Sequence, residues 1–186
     1  LLIEGLKRLE YRGYDSAGIA TLLNGKIDRR RSLGKIENLK RLLKKSPIKG
    51  NVGIGHTRWA THGIPSKINA HPHSSGDVAV VHNGIIENYD VLRRSLEKKN
   101  FIFESDTDTE VIAHLISFFL KKNLSPLKAT ITALKKVEGA FALGIIFSGI
   151  NNYLICAKRG SPLAIGKGKN CNYIGSDSIA LAPLTQ

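Results

Sequence analysis

The sequence predicts an α+β fold in which two β-sheets stack face to face and helices cover both outer sides, an αββα arrangement. Strand-like and helix-like segments follow one another in mixed order, with β-hairpins and two consecutive helices. That order differs from the regular strand–helix alternation of a parallel α/β protein. The chain has 186 residues, 42% of them hydrophobic, with no internal repeat or linker, so one domain spanning residues 1–186 is expected.

The helices and strands can be assigned in chain order. Apolar residues at helical spacing, together with capping residues, predict helices over 1–9, 35–45, 88–98, 108–121 and 125–137. Apolar runs predict strands over 19–23, 26–32, 52–56, 78–81, 141–147, 153–157, 163–165 and 173–175. Asn24-Gly25 predicts a tight hairpin between the first two strands. The polar segment 57–77 is predicted to be a loop, and 82–84 a turn that leads into a helix.

The net charge of +13 raises the possibility of a nucleic-acid partner. The densest basic segment runs from Arg29 to Lys49, and its later members fall on the polar side of the helix predicted over 35–45. A solvated helix face is therefore the favoured interpretation, and we predict no nucleic-acid partner. A polyanion-binding module stays open as an alternative. No apolar run approaches the roughly 20 residues that cross a bilayer, so a cytoplasmic protein without membrane contact is expected.

The two cysteines do not suggest a disulfide framework. Cys156 lies in an apolar run that predicts a buried strand, where a thiol acts as a small hydrophobic side chain. Cys171 lies in a polar stretch and is predicted to be exposed. We also predict no cofactor, because the sequence contains no glycine-rich phosphate-binding loop in a strand–helix context.

Side chains with binding chemistry are concentrated between His56 and Gly84. Arg58 follows a predicted strand, and its guanidinium can bind both oxygens of a carboxylate. Asn83-Gly84 offers a side-chain amide and a backbone N–H that together could hold an oxyanion, although a simple turn explains the spacing better. Asp108 begins a predicted helix, where it either caps the helix or faces a substrate ammonium.

The histidines of the same region raise the question of a metal site. His71 and His73 flank Pro72, and the other nearby histidines are His56, His62 and His82. No cysteine or acidic residue is spaced to complete a zinc site, so we predict no metal.

Six segments resemble one family closely over nearly the whole chain: 11–18, 57–63, 69–73, 81–88, 106–114 and 159–163. They are similar to the glutaminase domain of the isomerizing glutamine–fructose-6-phosphate aminotransferases, which are class II (type 2) glutamine amidotransferases. The resemblance implies a four-layer N-terminal-nucleophile hydrolase sandwich. It also implies hydrolysis of the glutamine side-chain amide, with the ammonia used to aminate fructose 6-phosphate.

Roles for individual residues follow from the resemblance. Arg58 would bind the α-carboxylate of glutamine and Asp108 its α-ammonium. The pocket would be completed by Thr61, His62 and Gly84. Asn83 and the Gly84 N–H would form the oxyanion hole, and Trp59 would lie at the exit of the ammonia.

The family begins its mature chain with a cysteine that is the nucleophile and whose α-amine is the base. Residues 1–186 join the family pattern part-way into its first helix, so we expect a domain truncated at both ends that lacks the first strand. We expect it to bind glutamine weakly at most and not to hydrolyse it. Fructose 6-phosphate would bind to the absent sugar isomerase domain, and the full-length enzyme would be a homodimer. A non-enzymatic remnant is the alternative.

Overall fold

The computed structural model describes residues 1–185. Six helices and nine strands are present in this range. The helices are α1 Leu2–Lys7, α2 Ile36–Lys45, α3 Tyr89–Glu97, α4 Thr109–Leu120, α5 Pro126–Leu134 and α6 Ser178–Leu181. The strands are β1 Ser16–Leu23, β2 Lys26–Leu33, β3 Val52–Arg58, β4 His73–Ser75, β5 Val78–Ile86, β6 Gly139–Phe147, β7 Leu154–Arg159, β8 Ala164–Lys167 and β9 Asn172–Gly175.

The first sheet is antiparallel, with the strand order β2-β1-β3. Asn24 and Gly25 join β1 to β2 with φ angles of +50° and +75°, and Leu23 pairs with Lys26 across the turn. Positive φ at both central residues is the requirement of the two-residue hairpin turn that Asn-Gly favours. The predicted hairpin is therefore confirmed.

The second sheet is also antiparallel, with the order β4-β5-β6-β7, and β8 and β9 form a separate hairpin. Strands β5 and β6 pair along their whole length, from Val78 to Ile86 on β5. The predicted turn over 82–84 is wrong: these residues lie within β5, and the following helix begins only at Tyr89.

Alternate side chains of the strands separate the core into layers, as the pleat of a sheet requires. The outer face of the first sheet packs on α1 and α2, where Ile19 meets Ile36 and Leu39. The outer face of the second sheet packs on α3, α4 and α5 in a cluster of eighteen buried residues. The two inner faces meet in a smaller cluster of five buried residues: Ala20, Leu22, Ile54, Ala79 and Ile146. The four layers are those predicted.

The three arginines of β2 donate hydrogen bonds to backbone carbonyl oxygens of neighbouring segments. Arg29 donates to the carbonyl oxygen of Pro72, and Arg31 donates to those of Ile68 and Ala70. Arg30 donates to the carbonyl oxygen of Ser46. These three guanidiniums therefore hold neighbouring backbone segments.

Across residues 1–185, no helix combines the length and the apolar character needed to cross a membrane.

Candidate functional site

A cavity of about 1520 Å³ lies along β3 and is lined by residues of both sheets, of α1 and of the β8–β9 hairpin. Its wall includes every residue to which the sequence assigned a role in binding or catalysis: Arg58, Trp59, Thr61, His62, Asn83, Gly84 and Asp108. The first four come from the end of β3 and the loop after it, the next two from β5, and the last from the start of α4. The site is thus assembled from both sheets and from one helix.

Arg58 is the last residue of β3 and is only 4% exposed. Its Nη2 donates to the carbonyl oxygens of His62 and Gly63, which fixes the direction of the guanidinium. Its Nη1 has no hydrogen-bond partner among residues 1–185. Burial lowers the pKa of Arg58, and the carboxylates of Asp15 and Asp108 oppose this shift. Because an arginine remains charged in proteins, the cavity contains a buried cation with a free donor.

Asp15 holds Arg58 from the neighbouring strand. The antiparallel register pairs Ser16 with Arg58, and the Asp15 N–H donates to the carbonyl oxygen of Arg58 at 2.7 Å. Asp15 Oδ1 lies 3.6 Å from Arg58 Nη1, and Asp15 Oδ2 accepts from the Ala60 N–H at 2.5 Å. No sequence spacing indicates this contact between Asp15 and Arg58, because the two residues are far apart in the chain.

We expect Asp15→Asn to weaken glutamine binding about 5- to 10-fold, because one charge-assisted partner of the guanidinium is lost. The free energy of unfolding should fall by about 1–2 kcal/mol for the same reason. Calorimetric titration with L-glutamine and urea unfolding measure the two effects. Asp28→Asn is the matched control, since Asp28 is a mostly exposed carboxylate 3.9 Å from Arg30. Equal affinities of the two variants would contradict the anchoring role of Asp15.

Asn83 and Gly84 lie on β5 at the wall of the cavity. The Glu87 N–H donates to the Glu138 carbonyl, so the N–H groups of odd-numbered residues here point towards β6. The N–H groups of His82, Gly84 and Ile86 therefore point to the other edge, because alternate residues of a strand share a side. His82 donates there to His71 Nδ1, and Ile86 donates to Asp108 Oδ2. The Gly84 N–H lies between these two, directed at the edge where a ligand can accept from it.

Only glycine fits at position 84. Its φ is +140°, and a Cβ there would lie 2.1 Å from the carbonyl oxygen of Ala140. A side chain would thus collide with the partner strand in a backbone conformation that other residues rarely adopt.

Asp108 immediately precedes α4 and is 4% exposed. Its Oδ2 accepts the Ile86 N–H at 2.9 Å and lies 3.9 Å from His82 Nδ1. The side chain makes no capping hydrogen bond to α4. The capping interpretation of Asp108 therefore does not account for its orientation, and its carboxylate lines the cavity with Arg58.

The loop after β3 forms the mouth of the cavity. Thr61 is exposed, and the His62 ring packs edge-on against Tyr89 with the ring centroids 4.8 Å apart. Trp59 is 67% exposed, and its ring lies so close to Gly13 that a Cβ there would be 2.4 Å from it. The indole therefore rests on the backbone of the loop before β1.

Four histidines form a cluster beside the site, in which His71, His73 and His82 are buried and His56 is half-buried. The rings of His56 and His71 stack with centroids 4.3 Å apart, and those of His71 and His73 meet edge-on at 4.8 Å. Thr109 Oγ1 bonds both His82 Nδ1, at 2.9 Å, and His71 Nε2, at 3.3 Å. Burial lowers the pKa of all four, to about 3 for His56 and His73. The cluster is therefore neutral at pH 7.

Within residues 1–185, no group of three or more histidine, cysteine or acidic side chains is arranged to hold a metal ion. Cys156 is half-buried on β7 and lines the cavity, and Cys171 is exposed between β8 and β9. Cys156 is thus more accessible than the buried thiol that the sequence predicted.

A family model described as a glutamine amidotransferase domain matches residues 56–183. Curated relatives named glutamine–fructose-6-phosphate aminotransferase [isomerizing] are 56% identical in Mesorhizobium japonicum and 57% identical in Zymomonas mobilis. Each alignment covers all of this chain and 30% of the relative, so the chain spans less than a third of the length of these proteins.

Two solved structures are similar over almost the whole chain. One is the glutamine phosphoribosylpyrophosphate amidotransferase of B. subtilis complexed with ADP and GMP, with a TM-score of 0.82 at 28% identity. It is covered to 39% of its length, by 97% of this chain. The other is described as the allosteric regulatory enzyme of purine biosynthesis, with a TM-score of 0.84 at 29% identity. It is covered to 40%, by 98% of this chain.

Proposed function

This chain belongs to the glutamine amidotransferase family, and on that premise we propose that it is the glutaminase domain of a glucosamine-6-phosphate synthase. Its fold is the N-terminal-nucleophile hydrolase fold of the class II amidotransferases. The proposed reaction is hydrolysis of the side-chain amide of glutamine to glutamate and ammonia. The ammonia would aminate fructose 6-phosphate on a part of the protein outside residues 1–186.

The observation that carries the proposal is the arrangement of charges and donors in one cavity. Arg58 offers a free, buried guanidinium donor and Asp108 a buried carboxylate, which match the α-carboxylate and α-ammonium of an amino acid. Asp15 lies 3.6 Å from Arg58 Nη1 without a hydrogen bond to it, so the carboxylate of a ligand would supply the acceptor that this donor lacks. Asn83 and Gly84 line the same cavity from β5, and we assign them to the distal amide of such a ligand.

Each side chain has a distinct part in the proposed mechanism. Arg58 and Asp108 hold the two α-groups, and Thr61 and His62 close the pocket at its mouth. When a nucleophile attacks the amide carbon, the carbonyl oxygen becomes an oxyanion that accepts from Asn83 Nδ2 and the Gly84 N–H. Donors already in place for that charge stabilise it by about 3–4 kcal/mol each in comparable sites. The ammonia would then leave past Trp59.

The nucleophile of this family is an amino-terminal cysteine with a free α-amine, and neither Cys156 nor Cys171 can supply both groups. We therefore expect a polypeptide of residues 1–186 to bind L-glutamine only weakly and to release no ammonia. Calorimetric titration tests binding, and a coupled glutamate dehydrogenase assay tests release.

Cys156 provides the control, because its thiol lines the same cavity. Ammonia release that is lost in Cys156→Ser would make Cys156 the nucleophile and overturn the expectation. A polypeptide that is folded and does not bind L-glutamine would overturn the proposed function itself.

A further inference from the structure

We propose that Asn69 is a positioning residue that fixes the spacing between the Arg58 guanidinium and the Asp108 carboxylate. It thereby makes the site select ligands that carry both an α-carboxylate and an α-ammonium. The inference deepens the proposed function and rests on it.

Asn69 is 2% exposed and uses both ends of its side-chain amide. Its Nδ2 donates to the carbonyl oxygen of Ile64 at 2.9 Å. Its Oδ1 accepts from the backbone N–H of Asp106 at 3.0 Å. One planar amide therefore joins the loop after β3 to the loop before α4, and it does so away from solvent.

On one side, the connection continues to Arg58. The guanidinium donates to the carbonyl oxygens of His62 and Gly63, directly before the Ile64 carbonyl that Asn69 holds. Gly63 also packs against the amide, since a Cβ at this position would lie 2.6 Å from Asn69 Nδ2. The position of the guanidinium thus depends on a loop that is attached to Asn69.

On the other side, the connection continues to Asp108. The segment from Asp106 to Asp108 is short, and its far end is fixed because Asp108 Oδ2 accepts the Ile86 N–H. Moving Asp106 would therefore turn or shift the carboxylate of Asp108. Hydrogen bonds that position charged groups in this way act through other residues and do not require contact with the ligand.

Asn69 is itself held in place by Arg31. The Arg31 Nη1 donates to the carbonyl oxygens of Ile68 and Ala70, the residues on either side of Asn69, at 2.7 and 3.0 Å. The backbone around the amide therefore cannot easily move to accept a different partner. A shift of the Asn69 amide would therefore move both loops that it joins, because buried, close-packed groups have few alternative positions.

The test compares three ligands in calorimetric titrations of the protein. L-Glutamine carries both α-groups, glutaramate lacks the ammonium, and 4-aminobutanamide lacks the carboxylate. Asn69→Ala is expected to weaken L-glutamine binding about 10-fold and to change the affinity for each one-headed ligand less than about 3-fold, since those ligands need only one subsite in place. The preference for L-glutamine over both analogues should therefore shrink.

Two further variants separate positioning from loss of folding. Asn69→Asp keeps the acceptor for Asp106 and places an oxygen against the Ile64 carbonyl, so it should shrink the preference as well. Asn88→Ala is the matched control, because Asn88 also joins two segments through both ends of its amide, at the Lys136 carbonyl and the Glu138 N–H. It should destabilise the fold and leave the preference for L-glutamine intact.

A folded Asn69→Ala protein that keeps the wild-type preference would overturn the role of Asn69 and leave the proposed function standing. Wild-type protein that binds none of the three ligands would overturn both.

Discussion

Arg58→Ala is expected to weaken L-glutamine binding about 10- to 100-fold. A charge-assisted, paired contact to a carboxylate contributes about 1.5–3 kcal/mol, and here it is made in a buried site by a guanidinium that nothing else can replace. The variant should also lose about 2–3 kcal/mol of unfolding free energy, because Asp15 and the carbonyl groups of His62 and Gly63 would be left without their partner. Arg58→Lys keeps the charge but loses the two-pronged guanidinium, so its affinity for L-glutamine should lie between those of Arg58→Ala and wild type.

The ligand 4-aminobutanamide distinguishes a lost contact from a damaged pocket. It has no carboxylate, so Arg58→Ala and wild type should bind it with affinities within about 3-fold of each other. Arg30→Ala is the matched control: Arg30 also donates to backbone oxygen atoms, but it lies outside the cavity. If Arg58→Ala bound L-glutamine as wild type does, Arg58 would not be the carboxylate site.

Acidification from pH 7 to pH 5 is expected to remove about 4 kcal/mol of unfolding free energy, a large part of the 5–15 kcal/mol typical of a domain. His71, His73 and His82 are each at most 5% exposed, and burial lowers the pKa of all three. In the unfolded chain they take up protons near pH 6.5, whereas in the folded protein His71 and His73 stay neutral to much lower pH and the pKa of His82 is shifted in the same direction. The unfolded state therefore binds more protons below pH 6.5, and stability is lost as the pH falls.

His71 and His73 each contribute about 2 kcal/mol over this range, which gives the sum above, and His82 adds to the loss in the same direction. His56 is left out of that sum because it is partly accessible from the cavity. The pKa of Glu110 is lowered to about 2, despite the opposing effect of burial, by hydrogen bonds from His114, Ser105 and two backbone N–H groups. Its carboxylate therefore adds to the loss only below about pH 4.5.

Urea unfolding between pH 7.5 and pH 5 measures the effect, with a slope that rises from near zero at pH 7.5 to about two protons at pH 5. His73→Gln should reduce the slope at pH 5 by about one proton. Its stability at pH 8, where the histidines are neutral in both states, gives the packing cost of the substitution by itself. A free energy of unfolding that does not change across this range would show that the cluster does not titrate on unfolding.

Local sequence signals predicted the elements that are stabilised locally. The Asn24-Gly25 hairpin and the helix over 35–45 were found because turn chemistry and apolar spacing determine both. The extent of β5 was missed because Asn83-Gly84 has the composition of a turn, while the pairing with β6 continues through it. Strand β4 and helix α6 were missed because three or four residues are too few to show a period.

The site was predictable in part for a related reason. Arg58 and Asp108 carry chemistry that is visible in their residue types, and the family resemblance assigned them roles. Asp15 and Asn69 act through contacts with residues 37 to 45 positions away in the chain, and only the folded structure brings those partners together. The clustering of the histidines in the sequence was noted, but the neutral state of their rings follows from burial, which the sequence did not indicate.

Because residues of both sheets line the cavity, the stability of the domain would also depend on the concentration of the proposed ligand, glutamine. The two inner faces meet in a cluster of five buried residues among those described, and the cavity wall takes Arg58 from the first sheet and Asp108 from the start of α4, which packs on the second. Glutamine bound to both Arg58 and Asp108 would raise the free energy of unfolding by RT ln(1 + [L]/Kd), where [L] is the glutamine concentration. At a low glutamine concentration this added stability would be absent, and the ligand-free domain would be more susceptible to proteolysis. The glutamine concentration would then affect the lifetime of the protein as well as its rate of catalysis.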